Sequence, residues 1–189
     1  MPRPALFLDR DGVINVDRGY VHRIEDFAFM PGIFELVRCA NELRLPAIVV
    51  SNQSGIGRGL FDEAAYQALT RWMCERFAAE GAPLARVYHC PYHPTQGVGD
   101  YKRDHPWRKP NPGMILQAAA DFALDLPACA LLGNDLRDMQ AAAAAGIGLR
   151  LRLDPRGTAV PEAPGHDVVR DLQEACAIVG TMMSKKDAE

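Results

Sequence analysis

The sequence predicts an α/β fold of one domain: a doubly wound, mainly parallel sheet with helices on both faces. Three observations predict it. Short apolar runs alternate along the chain with stretches whose apolar residues recur at helical spacing. The first runs are apolar at consecutive positions, as strands covered on both faces are, and do not alternate with polar residues. Polar residues also gather just after the runs: Asp9 and Asp11, then Ser51 and Asn52, then Asn134 and Asp135. In open sheets of this kind ligands sit beyond the carboxyl ends of the strands.

The elements follow in order. "ALFLD" reads as a first, buried strand. A helix over 32–44 opens after Pro31 and aligns Ile33, Leu36, Val37, Ala40 and Leu43 on one face. "PAIVVSN" is the second strand. The helix over 62–81 takes Asp62 as its N-cap, carries Ala65, Leu69, Met73 and Phe77 at helical spacing, and ends at Gly81. "ARVYHC" is the third strand. It leads into a loop from Pro91 to Pro110 that is rich in glycine, proline and charge, an insertion over 91–110. The next helix takes Asn111 as its cap and Pro112 at its first position. "CALLGN" is a fourth strand, 136–145 a helix and "IGLRLRL" a fifth strand. A strand-like piece at Asp167–Val169 and a helix near 170–180 complete the domain, 1–183, before a polar tail, Ser184–Glu189.

Composition excludes several function classes. The chain has 189 residues, 48% of them apolar and 24% charged, with a net charge of −3. Those values suit one globular domain and point to neither a nucleic-acid nor a membrane partner. No apolar run is long enough to span a bilayer, and none near the N-terminus reads as a secretory signal. Five scattered cysteines argue against a disulfide scaffold and for the reducing cytoplasm. The expected partner is a small molecule, and the expected state a monomer.

Asp9 and Asp11 carry the first chemical signal. Two carboxylates this close stay ionised together only if a cation or a proton intervenes. A hard divalent ion such as Mg²⁺ accepts one or two carboxylates and then phosphate oxygens. It also neutralises an incoming phosphoryl group, so that Asp9 can approach as a nucleophile while Asp11, on the same side of an extended chain, moves a proton. The same Asp-Arg-Asp-Gly also suits a simple turn. Taken alone, the tetrapeptide leaves both readings open.

The other strand ends carry a resemblance. "LDRDGVIN" resembles the Asp-x-Asp-Gly signature of the haloacid dehalogenase superfamily of phosphotransferases. "VVSNQSGIGRG" is similar to its second motif, "RKPNPGM" with Lys109 to its third, and "LLGNDLRDMQAA" to its fourth, all in the expected order. Within it, "GYVHRIEDFAFMPG" and the Arg108-Lys109 pair resemble the small phosphatases acting on D-glycero-D-manno-heptose 1,7-bisphosphate, relatives of the histidinol phosphatases. The resemblance implies a Rossmann-like core without a large cap domain, a site covered by loops, and Mg²⁺ held by Asp9, Asp11 and Asn134.

It also implies roles. Asp9 would take the phosphoryl group as an aspartyl-phosphate. Asp11 would protonate the leaving sugar oxygen and then activate water. Ser51 would bond the phosphoryl oxygens and Lys109 would neutralise their charge. Asp17, Arg18, Gly19 and Tyr20, together with Ser51, Asn52, Gln53 and Ser54, match substrate-contacting segments. Arg108 matches the residue that recognises the sugar phosphate, a task suited to a bidentate guanidinium. Without the resemblance, Arg108 and Lys109 would read as a solvated basic pair in a loop.

Two departures from the pattern stand out. The fourth motif usually opens Gly-Asp, whereas this chain has Gly133-Asn134-Asp135. Asn134 can ligate through its side-chain oxygen but brings no charge. Asp135 falls where these phosphatases usually carry a substrate-touching lysine, and Asp135 or Asp138 is the candidate to restore the charge. In the long loop, a zinc pattern of paired cysteines and histidines is reduced to Cys90, His93 and His105, with no clear fourth ligand. Structural zinc is not expected. "GIGRG" at 55–59 lacks the G-x-G-x-x-G spacing of dinucleotide sites and reads as a flexible turn over the site.

The leading function is thus a Mg²⁺-dependent phosphatase for the 7-phosphate of the heptose bisphosphate, in cell-surface glycan precursor synthesis. Histidinol phosphate or another small phosphomonoester is the alternative substrate. From other classes come a phospho-acceptor receiver domain, disfavoured by the Asp-x-Asp spacing, and an inactive relative, raised by Asn134.

Overall fold

The first strand is only Leu6–Leu8 (β1), yet all three side chains are buried. Leu6 and Leu8 enter the core on one face of the sheet and Phe7 the core on the other. This is the two-residue period of a strand covered on both sides. The computed structural model describes residues 2–157 and 165–184. Within them β1 joins Ala47–Asn52 (β2), Arg86–Cys90 (β3), Ala130–Gly133 (β4), Leu149–Leu153 (β5) and Asp167–Val169 (β6). They form one sheet in the order β3-β2-β1-β4-β5-β6, with every neighbouring pair parallel.

Parallel neighbours need crossovers, and helices supply those that link β1 to β5. Ile33–Glu42 (α1), Glu63–Ala79 (α3) and Leu172–Ser184 (α6) cover one face with Leu36, Val37, Met73, Phe77, Leu172 and Val179. Gly113–Phe122 (α4) and Leu136–Ala145 (α5) cover the other with Met114, Ile115, Met139 and Ala142. Each buried large side chain contributes about 1.5–3 kcal/mol. Ser54–Gly57 (α2) is a single turn at the end of β2.

The chain moves outward from β1 to β2 and β3, then returns to β1's other side with β4. The reversal between β1 and β4 opens a crevice at their carboxyl ends. Receiver-type sheets have the order 2-1-3-4-5, so this topology removes the receiver reading. Between β1 and β2 the described residues form a 3-10 turn at Ile24–Asp26 and α1, and the rest is loop. That loop and the 91–110 segment lie around the site.

Local signals explain most boundaries. Asp62 accepts the Ala65 N–H at 2.7 Å and starts α3. Asp135 caps α5, and Gly146 at φ 82° ends it in the left-handed conformation. Two expectations are corrected. Asn111 does not cap α4: its amide donates to the His105 carbonyl at 3.1 Å, and the helix starts at Gly113 after Pro112. The loop, which folds back on itself there, takes Asn111's hydrogen bond. "GIGRG" is not a flexible turn either, because Gly55, Ile56 and Gly57 are buried in α2, with Gly55 against Phe61, Ile56 clustered with Phe61 and Tyr66, and Gly57 against Pro91 and Tyr101. Of the polar tail expected over 184–189, Ser184 is the last residue of α6 and 185–189 lie outside the described residues. No described helix is long and apolar enough to cross a membrane.

Candidate active site

Where β1 ends, the Asp9 N–H still donates to Leu132 on β4 at 3.0 Å, so the carboxylate leaves the sheet from a fixed backbone. Its Oδ1 accepts from the Arg10 N–H at 2.8 Å and from Lys109 Nζ at 2.8 Å. Lys109 is 3% exposed. Its ammonium also donates to Asp138 Oδ1 at 2.7 Å and to the Val50 carbonyl at 2.8 Å, which uses all three of its hydrogens. Burial alone would lower the Lys109 pKa, but Asp138 and Asp9 more than offset it and keep the group charged. For Asp9 burial raises the pKa, and the Lys109 ammonium opposes it.

Three devices hold this ion cluster. Asn52 makes a two-point bond to the Lys109 main chain, accepting its N–H and donating to its carbonyl, both at 3.0 Å. Asp138 Oδ2 accepts the N–H groups of Asn134 at 3.1 Å and Asp135 at 3.0 Å, so the start of α5 locks the carboxylate that locks Lys109. Gly133 must be glycine, since a Cβ there would collide with the Asp138 side chain.

Asp11 is held from a different direction. Arg10, 1% exposed, meets its Oδ1 through Nε at 3.2 Å and Nη2 at 2.9 Å. Asn15 donates to Oδ1 at 3.1 Å and Gln53 to Oδ2 at 2.9 Å. Both carboxylate oxygens are therefore committed. The Asn134 carboxamide lies against Gly12, at φ 85°, where any Cβ would collide with it. Asn134 thus stands beside the Asp9–Asp11 turn.

These groups face a cavity of about 390 Å³. Asp9, Asp11, Asn52, Gln53, Lys109 and Asn134 line it, as do Asp17, Gly19, Tyr20, Ser54, Arg108, Asp135 and Asp138. Two expected residues do not. Ser51 is buried behind the wall, its Oγ accepting from Gln53 Nε2 at 2.8 Å. Arg18 is exposed away from the cavity lining, where the Asp17 carboxylate closes a tight turn onto the Gly19 N–H at 2.9 Å. Asp135 and Asp138, candidates for the missing metal charge, are both engaged. Asp138 serves Lys109, and Asp135 accepts from Arg137 Nε at 2.9 Å and Nη2 at 2.8 Å. Hydrogen bonds from Arg137 pull the Asp135 pKa down to about 2.

The candidate zinc residues do not converge. Cys90 is buried in the core beside α4. His93 lines the main cavity, with Nδ1 accepting the Gln96 N–H at 3.1 Å, while His105 stacks on Tyr92 beside a separate surface groove. Among the described residues no three His, Cys, Asp or Glu side chains gather as a metal site. The oxygen set at the main cavity is two carboxylates and a carboxamide. Sequence reasoning missed Arg10 and Asn15 as the holders of Asp11, and Arg58, His93 and Arg137 as cavity residues. An arginine two positions after Asp135 was the one available signal.

Known proteins resemble this chain in sequence and in fold. The HAD-hydrolase-like family profile matches residues 106–175. The D-glycero-alpha-D-manno-heptose-1,7-bisphosphate 7-phosphatase of Burkholderia mallei is 50% identical over 174 residues, covering 92% of each chain. The corresponding beta-named phosphatase of Vibrio cholerae serotype O1 is 44% identical over 151 residues, 80% of this chain and 81% of that one. In three dimensions, the D,D-heptose 1,7-bisphosphate phosphatase of B. bronchiseptica superposes with a TM-score of 0.79 at 29% identity, covering 93% and 97% of the two chains. That structure is a complex with magnesium and phosphate. A chain half identical to a heptose bisphosphatase along nine-tenths of its length, with its ion cluster at the β1–β4 crevice, belongs to the haloacid dehalogenase superfamily of phosphatases and is a phosphoric monoester hydrolase.

Proposed function

We propose that this enzyme removes the 7-phosphate of D-glycero-D-manno-heptose 1,7-bisphosphate by transferring the phosphoryl group to Asp9. One observation carries the residue assignment. Lys109 and the Arg10 N–H hold Asp9 Oδ1, while Oδ2 accepts no hydrogen bond among the described residues. A carboxylate fixed by one oxygen, with the other bare at a polar cavity, is arranged as a nucleophile.

The donor set fits Mg²⁺. Asp9 and Asn134 offer hard side-chain oxygens at one cavity. Arg10, Asn15 and Gln53 hold the Asp11 carboxylate in place for proton transfer, so the Asp11 oxygen offered to the ion is its main-chain carbonyl, which accepts no hydrogen bond among the described residues. When bound, the ion would neutralise the phosphoryl oxygens. Every other step falls to the chain itself. Asp9 attacks phosphorus and the sugar oxygen leaves. Asp11, oriented by Arg10, Asn15 and Gln53, gives that oxygen its proton and then takes one from the water that hydrolyses the aspartyl-phosphate. Lys109 has no hydrogen to spare, so it orients and balances Asp9, while Ser51 braces Gln53 from behind. Tyr20, Ser54 and Arg108 contact the sugar phosphate. The enzyme works as a monomer in the cytoplasm, where its five free thiols are stable.

A phosphate-release screen tests this reading. Both anomers of the heptose bisphosphate, the heptose 7-phosphate and histidinol phosphate are compared with Mg²⁺ and with a chelator. The expected result is fastest release from a heptose bisphosphate and none with the chelator. Preference for histidinol phosphate, or no release from any ester, would overturn it. In the same assay Asn134→Asp should reach half-maximal rate at roughly tenfold lower Mg²⁺, because it restores a carboxylate ligand. Calorimetry should register the same gain in Mg²⁺ affinity without substrate.

A further inference from the structure

Three guanidinium groups, those of Arg58, Arg108 and Arg137, face the same cavity, and His93 lies among them. Such a gathering repels itself unless something anionic joins it. Arg58 and Arg108 form no ion pair among the described residues: Arg58 lies over the Tyr20 ring at 5.5 Å, and Arg108 donates to the Tyr92 carbonyl at 3.1 Å. Lys109, the remaining cation of the cavity, is buried and fully engaged beneath Asp9.

Arg137 is the unusual member. It sits in the first turn of α5, where the positive end of the helix disfavours a cation, so helix stability does not account for it. Asp135, the residue that caps α5, grips it at two points through Nε and Nη2. That grip uses two of the five guanidinium hydrogens and fixes the plane of the group, leaving Nη1 and one Nη2 hydrogen for a ligand.

We propose that Arg137 is a specificity-determining residue: positioned by Asp135, it binds the substrate's second phosphate, the one not hydrolysed, alongside Arg58 and Arg108. Asp135 holds that guanidinium at the cavity wall. Asp135 is accordingly a positioning residue and touches neither metal nor substrate. The inference rests on the reading of the cavity as a phosphate-ester site and deepens it. A planar, pre-oriented guanidinium suits a dianion in a way that a lysine does not.

The test compares a heptose 1,7-bisphosphate with the 7-monophosphate of the same sugar. In Arg137→Ala the KM for the bisphosphate should rise at least roughly tenfold more than that for the monophosphate, with similar kcat ratios for the two. Arg137→Lys should recover only part of the difference. Asp135→Ser keeps a capping oxygen but frees the guanidinium, and should shift the KM ratio in the same direction by less. Equal loss on both substrates, or no change on either, would overturn the proposal. Calorimetry separates this outcome from failure of the function itself. If the wild type hydrolyses neither ester, the proposed reaction falls. The inference about Arg137 then stands or falls on whether the wild type binds the bisphosphate more tightly than the monophosphate and Arg137→Ala abolishes that margin.

Discussion

Asp9→Asn is expected to lower phosphate release at least about 10⁴-fold while leaving the fold intact. The amide has the shape of the carboxylate but is a poor nucleophile toward phosphorus. Its Oδ1 can still accept from Lys109, and Asp138 remains as the ammonium's full counter-charge at 2.7 Å. Circular dichroism and a urea midpoint close to wild type should accompany the lost turnover. Residual activity within tenfold of wild type would remove Asp9 from the chemistry.

The second large effect is on stability. Lys109→Met should cost about 3–5 kcal/mol, because it leaves the buried Asp138 and the partly buried Asp9 facing each other without their shared cation. That is a large share of the roughly 5–15 kcal/mol that holds a typical domain together. It should read as a lower urea midpoint at unchanged slope. Adding Asp138→Asn to that variant should restore part of the loss by removing one of the stranded charges, a non-additivity expected for residues in one network. A loss below about 1 kcal/mol in the single variant would mean that Lys109 is not the keystone of the cluster.

Much of this architecture was legible in local chemistry. The helix at 136–145 agrees end to end, since Asp135 before it and Gly146 after it are strong cap signals. Asp9, Asp11, Lys109 and Asn134 come from three distant segments, after β1, ahead of α4 and after β4, and the parallel topology gathers such ends at one rim. What stayed hidden depended on side-chain direction. Ser51, expected at the phosphoryl oxygens, is instead buried behind Gln53, whose amide hydrogen bond it accepts. Arg10 drew no reading of its own beyond the possible Asp-Arg-Asp-Gly turn. It is buried because Asp11, Asn15 and the Val21 carbonyl, which accepts from Nη2 at 2.7 Å, surround it. Arg58 lay inside a glycine-rich stretch that hydrophobic packing of Ile56 turns into a helical turn. Asn111 had the right residue type for a cap, but a tertiary hydrogen bond claimed it.

The measurement closest to the central claim is mass analysis of the peptide carrying Asp9, taken by acid quench while the enzyme is consuming substrate with Mg²⁺ present. A phosphoryl adduct on Asp9, formed and lost in step with turnover and absent from Asp9→Asn, is the predicted result. Continued turnover with Asp9 unmodified at every quench time, or with the phosphoryl group on another residue, would contradict it.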